Sequence, residues 1–106
     1  MLRALPRVVT VMGHTFPVAL VDLPDGGHGQ LFLDPHRIEI SSNDTLDIQW
    51  ATLVHEILHA GIRLGGLQSI LEATSVPGVE EAIVSNLERT LLSVRLGTKP
   101  LVNCRK

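Results

Sequence analysis

The stretch TLVHEILHAG (52–61) places His55 and His59 four residues apart, with Glu56 directly after the first histidine. On an α-helix, residues four apart stand one above the other on one face, so both imidazoles can close on a single ion. Zinc accepts imidazole nitrogen as a ligand and lowers the pKa of the water it holds to about 7. A carboxylate beside that water can take its proton at neutral pH, and Glu56 stands where such a base is needed. H-E-x-x-H is thus two ligands and the base of a hydrolytic zinc site. Shuffling a chain of this composition, with its 5 histidines, yields the pattern about 0.01 times. That rarity weighs against two solvent-facing histidines meeting by chance.

Set on a wheel at about 100° per residue, Trp50, Leu53, Val54, Ile57, Leu58 and Gly61 form one apolar stripe. His55 and His59 fall about 130–170° from its middle, and Glu56 lies on a third side. Ile48 and Ile62 flank the histidines, so the histidine side is apolar enough to be a second buried interface. Buried histidines need partners, and a shared metal is one. Catalytic zinc usually has three protein ligands and an open position. No histidine follows His59 and no cysteine is placed to help, which removes the metzincin pattern with its later third histidine. The third ligand is therefore expected to be a carboxylate, supplied by Glu80-Glu81 at the start of a second helix. Periodicity puts Glu80 in that helix's apolar stripe with Ile83, Val84, Leu87 and Leu91, and Glu81 about 100° to one side. An acidic helix start is also favoured by the helix dipole alone.

The elements that must position these groups read as a small sheet followed by two helices. VVTVM (8–12), FPVALVD (16–22), QLFLD (30–34) and RIEIS (37–41) are short, β-rich runs. They are divided by Gly13-His14, Asp25-Gly26-Gly27-His28-Gly29 and Asp34-Pro35. In Arg37-Ile38-Glu39-Ile40 the isoleucines point one way and the charges the other. The expectation is an antiparallel or mixed sheet of three or four strands. Ser41-Ser42-Asn43-Asp44-Thr45 supplies capping residues for a first helix over about 45–63, stopped by Gly65-Gly66. Residues 67–78 form a connector with room for one helical turn around Ile70-Leu71. Pro77 suits the first turn of a second helix, to about residue 96, before Gly97 and Pro100. Residues 98–106 are read as a loose tail. The class is α+β, in one domain spanning 1–106.

Composition narrows the function. A chain with 44% hydrophobic and 19% charged residues is that of a folded domain, and 106 residues suit a single core. A net charge of −2 without a basic cluster argues against nucleic acid as partner. One cysteine, Cys104, excludes a disulfide framework and fits a reducing compartment. The first residues lack a signal-peptide core, and no apolar run approaches a bilayer span, so a cytoplasmic location without membrane attachment is expected.

TLVHEILHA (52–60), a connector, and then VEEAIVSNL (79–87) resemble the gluzincin zinc metallopeptidases, above all the minigluzincin and phage or prophage metallopeptidase-like domains. The resemblance covers roughly residues 30–96. It implies one Zn2+ held by the two histidines and a glutamate of the following helix. The family's ligand glutamate precedes a small residue, which matches Glu81-Ala82 and favours Glu81, with Glu80 as the alternative. The resemblance further implies a peptide or protein substrate lying as an extended strand along the sheet edge. That edge would be the strand 37–41, with Glu39 in contact. The chain departs from the larger members at two points. Ser85 stands where they carry an acid that orients a histidine, and there is no tyrosine to steady the oxyanion. His14, His28, His36, Arg63 and Arg95 are the alternative donors. Two functions follow as expectations: a zinc-dependent peptidase with Glu56 as base, or a zinc-binding interaction module that works beside a protein partner or as a homo-oligomer.

Overall fold

The computed structural model describes residues 3–73 and 76–93. Arg95, the expected last turn of the second helix and the tail 98–106 lie outside the described residues. Four strands come first: β1 (Val8–Val11), β2 (His14–Val21), β3 (Gly29–Leu33) and β4 (His36–Ser41). The helices α1 (Leu46–Leu64), α2 (Leu67–Ala73) and α3 (Val79–Ser93) follow, so the expected α+β arrangement holds.

The strands form one mixed sheet in the order β1-β2-β4-β3. β1 and β2 pair antiparallel, as do β3 and β4, while β2 and β4 run parallel. The β1–β2 turn is Met12-Gly13 with φ of 49° and 81°. Positive φ at both central positions gives a two-residue turn the twist that matches its flanking strands. Ile38 and Ile40 on β4 are fully buried and pack with Phe16 of β2 and with Leu53 and Ala60 of α1. Arg37 and Glu39 alternate onto the opposite face, as expected for this strand. There they pair at 3.0 Å, and the Arg37 guanidinium lies 4.2 Å from the Phe32 ring centre.

This topology corrects the expected sheet edge. The strand 37–41 is not an edge: it lies between β2 and β3, and its two isoleucines make it the most buried strand. Glu39, expected to meet substrate, points away from α1 and is engaged by Arg37. The edge strand beside α1 is β3.

Thr45 caps α1 by accepting the Ile48 N–H at 3.4 Å. The buried side of α1 carries Gln49, Thr52, Leu53, Glu56 and Ala60. It is rotated from the apolar stripe on the wheel, because α1 turns its polar Thr52 and Glu56 toward β3 as well as its leucine toward the core. Trp50 and Ile57 are only partly buried against that core. The connector is more ordered than expected, since α2 makes a seven-residue helix. Pro77 does not enter the second helix: Pro77-Gly78 is a turn, Gly78 has φ 75°, and α3 starts at Val79. The expected apolar stripe of α3 does not pack either. Ile83, Leu87 and Leu91 are exposed, and Val84 is the buried residue of the helix. The face turned to α1 carries Glu80, Glu81, Val84 and Glu88, and the reason lies in the contacts these carboxylates make.

Candidate metal centre

α1 and α3 lie side by side, and the interface brings two imidazoles against three carboxylates. His55 Nε2 and His59 Nε2 are 3.2 Å apart. Glu81 bridges them, with Oε1 2.8 Å from His55 Nε2 and Oε2 2.9 Å from His59 Nε2. The other ring nitrogens are also engaged. His55 Nδ1 lies 3.3 Å from Glu88 Oε2, and His59 Nδ1 lies 2.5 Å from Glu80 Oε2. Arg63, one turn beyond His59, donates from Nε to the same Glu80 oxygen at 3.4 Å.

Each ring thus meets a carboxylate at both nitrogens, Glu88 or Glu80 at Nδ1 and Glu81 at Nε2. A neutral imidazole donates from one nitrogen only, so one of the two carboxylate contacts of a neutral ring lacks a donor. With the protons on Nδ1, the two Nε2 lone pairs and the Glu81 carboxylate meet at one point, an arrangement that a cation between them would resolve. One ligand atom from each of His55, His59 and Glu81 lies within 4.8 Å of the others, a group that could hold a metal ion. Ligand atoms on a tetrahedral zinc ion with bonds of 2.0–2.2 Å stand about 3.3 Å apart, close to the 3.2 Å between the two imidazole nitrogens. The residues present fit such an ion.

Glu56 lies on the side of α1 that faces β3 and is 9% exposed. Its pKa is raised above the usual carboxylate value, chiefly because burial disfavours the charge. Glu81 pushes in the same direction, while His55, His59 and Arg63 offset part of the effect. The close approach of β3 depends on Gly29. A Cβ there would sit 2.5 Å from Thr52 Cγ2, 2.9 Å from the Glu39 carbonyl oxygen and 3.5 Å from Glu56 Oε2. A cleft of about 280 Å³ opens at this seam, with Gln30, Glu56, His59, Arg63 and Glu81 in its walls. On the other side of His59 a hollow of about 390 Å³ lies between the end of α1, α2 and the start of α3, and it also includes Arg63.

Of the residues singled out from the sequence, the structure gathers His55, Glu56, His59, Glu80, Glu81 and Arg63. Glu81 takes the position between the two Nε2 atoms, and Glu80 the position behind His59. The remaining donors stand elsewhere. His28 pairs with Asp44 at 2.7 Å. His36 stacks on Phe16 with ring centres 4.7 Å apart, and His14 meets His36 edge-on at 5.1 Å. Sequence reasoning missed Gly29 and Glu88. For Glu88 a signal existed, because 81, 84 and 88 recur at three and four and so share a helix face. Gly29 carried none, since it closes a glycine-rich turn like several others.

The chain matches no protein-family model, no curated protein and no solved structure.

Proposed function

We propose that this chain is a zinc-dependent peptidase whose ion is held by His55, His59 and Glu81. The observation that carries the reading is the meeting of two Nε2 atoms and a carboxylate beside a buried glutamate in an open cleft. Zinc in such a position would acidify a water and polarise a carbonyl oxygen. Glu56 takes the proton of the attacking water and returns it to the leaving amine. Its raised pKa suits both halves of that exchange, since a carboxyl closer to neutrality gives back a proton more readily. β3 offers its backbone to an extended peptide, in place of the strand that carries Glu39. Of the proposed carbonyl-facing donors among the described residues, Arg63 is the one in the cleft wall, and we assign it that part.

Glu56→Gln tests the assignment. The variant should bind zinc as the parent does and lose peptide cleavage by about 10²-fold or more; cleavage at the parent's rate would rule the base out. One observation favours the second function, a zinc-binding interaction module. The Glu81 side chain is 57% exposed, so the centre lies open on a single small lobe. Stoichiometric zinc with no cleavage across a broad peptide library would establish that module instead.

A further inference from the structure

We propose that Glu80 and Glu88 are positioning residues that set the two ligand imidazoles through their outer nitrogens, with Glu80 the stronger of the pair. The inference rests on the metal reading of the site and does not depend on whether the centre is catalytic.

An imidazole on a helix can turn about two side-chain bonds and can carry its proton on either nitrogen. Both freedoms must be removed before two rings can offer lone pairs to one ion. Here each ring meets a carboxylate at Nδ1: His59 meets Glu80 at 2.5 Å and His55 meets Glu88 at 3.3 Å. With an ion on Nε2, each contact would keep the proton on Nδ1 and fix the ring with Nε2 directed inward. Because Glu80, Glu81 and Glu88 all belong to α3, one helix delivers both the third ligand and both orienting groups. Position 85, one turn after the ligand, is a serine and supplies no carboxylate.

The two contacts are unequal. The His59 side chain is 11% exposed and its partner Glu80 is 18% exposed, whereas His55 is 23% exposed and its contact is longer. Arg63 also donates to Glu80 Oε2 and so helps to hold that carboxylate against His59. The two carboxylates are about equally exposed, so the shorter distance, the more buried ring and the Arg63 contact make Glu80 the stronger hold on its imidazole.

The test measures zinc affinity of the full chain by competition with a chromophoric chelator, together with the visible spectrum of the cobalt-substituted protein. Glu80→Gln keeps the side-chain shape and removes the charge. It should weaken zinc binding about 10–100-fold and shift the cobalt bands, while Glu88→Gln should cost about 10-fold or less. Arg63→Gln should lower affinity by less than Glu80→Gln. Circular dichroism of each metal-free variant separates a lost fold from a lost contact. If Glu80→Gln does not fold, the Glu88 and Arg63 variants carry the test. The ligand variants His59→Ala and Glu81→Gln serve as the reference. If they bind zinc like the parent, the metal reading itself falls. If they lose zinc while Glu80→Gln, Glu88→Gln and Arg63→Gln stay within about twofold of the parent with unchanged cobalt bands, the positioning role is overturned. It is overturned equally if Glu80→Gln costs as much as His59→Ala and Glu81→Gln costs less than Glu80→Gln, because Glu80 would then be the ligand.

Discussion

Glu56 illustrates how one residue can work against the fold and for the site. Burial raises its pKa, so between the ordinary value of 4.5 and the folded value the native state keeps a proton that the unfolded chain has released. The native state binds more protons in that window, so the stability of the metal-free protein falls as pH rises through it. Below the unfolded value the penalty vanishes, and above the folded value it is complete. Metal-free Glu56→Gln, which has no charge to bury, should therefore melt above the parent at pH 7. The gap should shrink as the pH is lowered toward 4.5, as thermal melts in the presence of a chelator would show. A gap that widened on acidification would mean that Glu56 is stabilised as the carboxylate by its neighbours. The grouping of His55, Glu56 and His59 was legible in the sequence, because their spacing along one helix sets it. The partners at Nδ1 were not, since they depend on how α3 is rotated about its axis.

At the scale of the element, α3 is the unusual part. Its apolar residues Ile83, Leu87 and Leu91 remain exposed, and Val84 is the buried anchor. Burial of one such side chain is worth about 1.5–3 kcal/mol, a modest hold for fifteen residues. Beside Val84, α3 carboxylates meet His55, His59 and Arg63 of α1. Without a cation at the centre, a neutral ring that donates from Nδ1 sets its Nε2 lone pair against the Glu81 carboxylate. Docking of α3 should thus be coupled to metal. Removing zinc with a chelator should speed amide hydrogen exchange across 79–93 and leave β2 and β4 nearly unchanged. Equal protection in both states would place the hold on α3 elsewhere. The wheel for this helix misled because it assumed that the apolar stripe seeks the core. The carboxylates decide its rotation instead, through contacts with residues 17 to 33 positions earlier in the chain.

The whole molecule is a small sheet with one long helix across it, and the centre forms where β3, α1 and α3 meet. Among the described residues no helix is long and apolar enough to cross a membrane. The fully buried cluster consists of Phe16, Ile38, Ile40, Leu53 and Ala60, a limited core on which any bound ion should register strongly. A ligand that binds the native state alone at 100 times its dissociation constant adds about 2.7 kcal/mol. In a domain of about 100 residues each kcal/mol raises the melting temperature by about 4–8 °C. Zinc at that excess should raise it by roughly 10–20 °C, read by calorimetry with and without the metal. No shift, or the same shift in His59→Ala, would argue against the site.

The sequence by itself determined that strands come first and the two long helices after them, the α+β class and the His55-Glu56-His59 constellation, while α2 was read as a connector. These are consequences of local periodicity, turn residues and spacing along one helix, and such signals act over a few residues. Tertiary structure alone decided that β3 and not the strand 37–41 is the edge beside α1, that Gly29 must lack a side chain, and that Glu81 faces the two Nε2 atoms while Glu80 and Glu88 stand behind them. Each of those depends on the register of two strands or the rotation of one helix against another. Packing between distant segments sets these quantities, and no periodicity within either segment records them.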